Sequence, residues 1–205
     1  MKNNLTQQEN RKALALEAKD MLAGAAFPFM LTLILSATVM SFIAYGGGND
    51  LGIQILILVA GEALLIAATV IFGKQNGVAA YKKTVQNAQK REAASTDIRA
   101  TAHVGEYAVY KSVVIAAIAC VPFVIVEIVY AAFPNDVCRF ILMYVFGWAY
   151  YPFALPKLSP WLNLILVIPF IAVHTTAYIW GGKTEKKRQS ALEKQEMQRA
   201  EKHKK

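Results

Sequence analysis

Only two of the 205 residues are cysteines, Cys120 and Cys138, and neither belongs to a CxxC or to a Cys/His spacing that holds a metal. That excludes a disulfide framework, and no metal or other cofactor is expected. Charge is scarce too: Asp, Glu, Lys and Arg make up 18% of the chain, against about 25% in soluble domains. The shortage is local. No Lys or Arg occurs between Phe27 and Gly73, between Ser112 and Phe133, or between Leu158 and Gly182. A soluble helix keeps one polar face and has no need of such gaps. A bilayer does, because an ionised side chain at the centre of a span costs about 2.5–3.5 kcal/mol on insertion scales.

Catalytic signatures are also missing. The chain has no GxSxG, no phosphate-binding P-loop, no Rossmann glycine pattern and no HExxH pair. His103 and Glu106 stand three apart with Tyr107 and Tyr110 nearby, but Gly105 interrupts them, and a solvated face is the simpler account. An enzyme is therefore not expected.

What is present is apolar: 56% of residues are hydrophobic. The reading is an all-α, polytopic membrane helix bundle. Residues 1–26 form an N-terminal, mildly amphipathic helix, expected on the membrane surface or against the central loop. Two spans follow, 27–45 and 51–72, each close to the roughly 20 residues that cross a 30 Å hydrocarbon core. The Gly46-Gly47-Gly48-Asn49-Asp50 turn joins them as an antiparallel hairpin. The first run is too long for a signal peptide and lacks a small-residue cleavage site, so it is expected to remain as a span.

Residues 73–111 turn basic and helix-prone, and are read as a helical hairpin broken at Ala94-Ser95-Thr96-Asp97. Ser95 or Thr96 is the expected cap, and Gly77 and Gly105 the expected kinks. The third span is 112–133, with Pro122 inside it. Residues 137–154 are apolar, then aromatic, then broken by Pro152, and are read as an outer re-entrant or interfacial segment. The last span is 161–180, bracketed by tryptophans, and 181–205 is a basic polar tail with a charge pair at Glu201 and Lys205.

Charge sets the sidedness. Lys and Arg number four in the N-terminal segment, seven in 73–111 and nine from Gly181 onward, against two, Arg139 and Lys157, between Phe133 and Trp161. Putting all three basic regions in the cytosol requires an even number of crossings. Four spans satisfy that. The alternative, five spans with 137–154 crossing, sends the most basic tail outside. A multi-pass position in a cell membrane, with both termini cytosolic, is therefore expected, and short outer loops suggest a bacterial cytoplasmic membrane.

The formal net charge of +8 flanks apolar runs, so the expected partner is a bilayer with anionic headgroups and not a nucleic acid. Lys82, Lys83, Lys90, Arg91, Lys186, Lys187 and Arg188 are the candidate lipid- or partner-binding cations. Other membrane subunits or a homo-oligomer are further possible partners.

Intramembrane polar residues are the remaining candidates, because hydrocarbon penalises them unless they pair or line a wet cavity. Glu62, Glu127 and His174 are the ionisable ones. Gln54, Asn163, Thr32 and Ser36 are available hydrogen-bond partners, the last two sharing a helix face. Glu62 can reach His174 if their spans are neighbours. An outer interfacial group, Arg139, Trp148, Tyr150, Tyr151 and Lys157, is expected at the headgroup belt. The functional expectation is a non-catalytic subunit or scaffold of a membrane complex. The alternative is a small transporter or channel that uses the intramembrane Glu and His residues.

Overall fold

A computed structural model describes residues 2–46, 50–93, 105–154 and 159–203. Six α-helices and one 3-10 helix account for them, with no strand among the described residues. In order these are α1 Lys2–Gly46, α2 Leu51–Ala93, α3 Val109–Ala132, α4 Asp136–Val145, α5 Gly147–Ala154, a 3-10 turn Pro160–Leu166, and α6 Val167–His203. Four helical stretches are long and apolar enough to cross a membrane. Their outward surfaces carry Phe27, Met30, Ile34, Phe42, Leu56 and Ile125, among others. That is the make-up of an integral membrane protein, in which large apolar side chains face lipid.

The long helices outrun the spans. α1 has 45 residues, about 68 Å at 1.5 Å per residue, so the expected N-terminal helix and the first span are one continuous rod through Pro28. α2 likewise runs on for 43 residues and α6 for 37. α1 packs antiparallel to α2: Phe27 meets Phe72 with ring centroids 4.6 Å apart, and Val39 packs on Gly61. α2 runs parallel to α6, with Gly73 beside Ala177 and Gly77 beside Tyr178 and Gly182. The N-terminal part of α1 and the C-terminal parts of α2 and α6 therefore lie at one end of the bundle. Three basic segments share that basic end. Lys74, its ammonium 4.1 Å from the Trp180 ring centroid, sits where the apolar spans give way to it.

Two sequence expectations for glycine are met differently. α2 is continuous through Gly77. The role of this glycine is close approach. A Cβ there would overlap the Tyr178 carbonyl oxygen and lie 3.0 Å from the Gly182 nitrogen. A Cβ on Gly181 would overlap the Lys74 carbonyl. Gly73 and Gly77 on α2, with Ala177 and Gly181 on α6, form facing small-residue stripes at four-residue spacing. Close backbone contact of this kind, not apolar burial, drives helix association where lipid is as apolar as the core. Gly105 does not kink a helix: it stands in a turn at a positive φ of 69°, which favours glycine, and residues 106–108 after it are not helical. The expected Ser95 and Thr96 caps, His103 and the Glu201–Lys205 pair lie outside the described residues or side chains.

The segment 137–154 is two short helices of ten and eight residues, neither long enough to cross. Asn135 starts the first by accepting from the Cys138 N–H at 2.8 Å. The chain then bends at Phe146, whose carbonyl accepts from Ala149 and Tyr150. The core forms around that bend: Phe123, Leu142 and Ala149 are fully buried, and Phe146, Trp148, Cys120 and Phe170 nearly so.

Candidate functional site

Ser36, midway along the apolar part of α1, faces the core and is 1% exposed. Its hydroxyl accepts from the Trp148 N–H at 3.4 Å. The first N–H groups of a helix have no partner inside it, so Ser36 supplies one where water is absent. It thereby seats α5 deep in the bundle. The Trp148 ring packs 5.8 Å from Phe123 and 5.1 Å from Phe170. Trp148 and Tyr150 are each only 8% exposed, so they belong to the core and not to an exposed aromatic belt. The density of aromatics reads as interfacial because composition alone does not reveal that the segment folds inward. Arg139 remains exposed at the end of the bundle opposite the basic one, and the Tyr150 hydroxyl meets it and Tyr130. Lys157 and the side chain of Tyr151 lie outside the description.

The three intramembrane ionisable residues occupy three places. Glu127 on α3 is fully buried, and its Oε1 accepts from Asn163 Nδ2 at 2.8 Å. Asn163 comes from the 3-10 turn, itself 1% exposed. Glu127 Oε2 and Asn163 Oδ1 have no partner among the described residues. His174 on α6 is 2% exposed, and its Nδ1 lies 3.1 Å from the hydroxyl of fully buried Ser112 on α3. Both pairs stitch α3 to the last span. The sequence offered Asn163 as a partner but not Ser112, which stands at the boundary between loop and span.

Glu62 is half-buried near the middle of the apolar stretch of α2. It lines a cavity of about 160 Å³ with Leu65, Thr69, Trp148, Phe170 and Val173. Glu62 and His174 are not joined: His174 lines a different cavity, at the basic end. Gln54 is half-buried in the first turn of α2.

The basic-end cavity has a volume of about 250 Å³ and lies between α1, α2, the residues before α3, α3 and α6. Lys111, 3% exposed, lines it and meets Glu17 at 3.7 Å. Glu106 is 7% exposed and takes the Arg91 guanidinium and the Asn87 amide, the latter at 3.2 Å. Arg91 is thus committed to an ion pair within the fold, whereas Lys82, Lys83, Lys90, Lys186 and Lys187 are exposed, as is Arg188, whose guanidinium lies 3.8 Å from the Glu185 carboxylate. Thr84 accepts from the Tyr107 N–H at 2.8 Å, and the Tyr107 ring stacks on Tyr178 at 5.1 Å, only 3° from parallel. Burial raises the Tyr107 phenol pKa above its ordinary value, so the ring stays neutral. Among the described residues no cluster of three or more His, Cys, Asp or Glu side chains is placed to hold a metal.

Family models, curated proteins and solved structures offer no match to this chain.

Proposed function

We propose that this protein is a non-catalytic subunit or scaffold of a membrane complex, inserted four times with both termini in the cytosol. One observation supports the reading above the others: the intramembrane ionisable groups are dispersed. Glu127 and His174 are each held in a hydrogen-bonded pair between helices, and Glu62 lines a separate, mostly apolar cavity. A transporter or channel that works through such groups needs them strung along one wet path. Polar pairs between helices instead add stability, about 0.6 kcal/mol each on average in membranes. The exposed lysines of α2 and α6 then face anionic headgroups or a partner subunit, each basic residue near the surface worth about 1 kcal/mol against such lipid. A bacterial cytoplasmic membrane fits the short outer segments.

The transport reading retains one supporting observation, the half-buried Glu62 carboxyl beside a broken helical segment. Two measurements on wild type and Glu62→Gln separate the readings: proton and cation flux in liposomes, and migration of the chain in native gels of its own membranes. The subunit reading expects no flux above empty vesicles and a discrete assembly larger than the 22.6 kDa chain, unchanged by the substitution. Flux that disappears in Glu62→Gln would replace it with transport.

A further inference from the structure

We propose that the basic-end cavity binds a small zwitterion, with an ammonium and an anionic group on one short molecule or lipid headgroup. The proposal is independent of the subunit reading. It starts from the charges on the cavity wall. Five residues there carry a carboxylate, an amine or an imidazole: Asp20, Lys83, Glu106, Lys111 and His174. Lys111 is answered by Glu17, Glu106 by Arg91, and His174 by Ser112. Asp20 and Lys83 are left, of opposite sign, and among the described residues neither is in an ion pair.

Their position gives them a role. Asp20 and Lys83 also line a second, outer cleft of about 550 Å³ between α1 and α2, which adds Lys19 and Lys90. Asp20, Ala23 and Lys83 are common to both spaces, so they form the neck between outer cleft and inner cavity. A cleft with three lysines draws an anion in from solution. One carboxylate at the neck is matched by one cation on the same ligand. A simple anion would leave Asp20 repelling it, and a simple cation would have to pass the lysines. Further in, Asn76, His174 and Tyr178 offer hydrogen-bonding groups, and Phe27 and Ile115 make an apolar floor. That floor lies at the level where α1 enters the apolar part of the bundle. The zwitterion can therefore come from water or as the head of a lipid whose chains run down α1 and α3.

O-phosphoethanolamine is the probe for the free zwitterion, titrated calorimetrically into the purified full-length chain in detergent. Phosphatidylethanolamine against phosphatidylcholine in nanodiscs, with retained lipid read by native mass spectrometry, is the probe for the headgroup. Choline lacks the N–H donors that a carboxylate selects. Binding in either arm is expected to weaken about tenfold or more in both Asp20→Asn and Lys83→Gln, because each removes a charge-assisted hydrogen bond. Both residues reach the surface, so unfolding temperatures should stay at the wild-type value. The exchange Asp20→Lys with Lys83→Asp should recover part of the affinity. Saturation by the soluble probe assigns a water-borne ligand, and selective retention of phosphatidylethanolamine alone assigns a lipid. Absence of binding in both arms overturns the proposal. So does loss in only one variant, which would mean a plain anion or cation site.

Discussion

Replacing Gly77 by Ala tests how α2 and α6 are held together. In a helix with room for a methyl group the change stabilises by about 1 kcal/mol. Here there is no room. The added Cβ overlaps the Tyr178 carbonyl oxygen and comes within 2.9 Å of the carbonyl carbon and 3.0 Å of the Gly182 nitrogen. These are backbone atoms, so no side chain can swing away. The two helices must separate by about 1 Å, a gap that forfeits a quarter to a half of each dispersion contact across the seam. Overpacking of this kind costs about 1–3 kcal/mol, and α2 with α6 is the most extensive pairing in the fold. A net loss of about 2 kcal/mol lowers the Tm by about 4–8 °C in a protein of this size. Gly181→Ala, which meets the Lys74 carbonyl, should do the same. Gly24→Ala is the control: its Cβ would lie 3.1 Å from Ile115 Cδ1, the movable end of a side chain. Thermal unfolding in detergent can be followed by exposure of the Cys120 thiol, 2% accessible when folded, in a Cys138→Ser background. If Gly77→Ala and Gly181→Ala melt no lower than Gly24→Ala, the close-approach argument is wrong.

Glu127→Leu should lower stability by about 1–2 kcal/mol, because it strands the Asn163 amide in the core, and Glu127→Leu with Asn163→Leu should recover part of that in the same melts. Ser36→Ala removes the acceptor of the Trp148 N–H and should cost about 1 kcal/mol. It should also loosen α5, seen as greater quenching of tryptophan emission by a lipid-phase quencher, and unchanged quenching would refute its seating role. Glu106→Gln should leave the spans intact but weaken the tie between the residues before α3 and α2, measured as faster hydrogen exchange at residues 105–108.

The spans were legible because lipid imposes a crude rule: long charge-free runs bounded by turns or by lysine. The basic segments were legible on the same ground, and the packing of α1, α2 and α6 puts them together at one end. Glu127 and Asn163 stood out because polar groups are rare in such runs. What the sequence hid depends on contacts between distant segments. Ser112 carries no mark that it will face His174, sixty-two residues away. Gly77 reads as a kink in the sequence because its function, backbone contact with α6, is set by a partner helix about a hundred residues on. Trp148 and Tyr150 looked interfacial because an aromatic cluster has the same composition whether it faces headgroups or turns inward on a capping serine. The neck formed by Asp20 and Lys83 joins residues that no local pattern relates.

Sidedness is the claim on which the rest turns, and single cysteines read by a membrane-impermeant maleimide on intact cells test it most directly. In a Cys138→Ser background, Asp50→Cys should label from outside. Lys90→Cys and Gln195→Cys should label only after the membrane is permeabilised. Labelling of position 195 on intact cells, with position 90 protected, would place the two basic segments on opposite sides and contradict a four-span bundle.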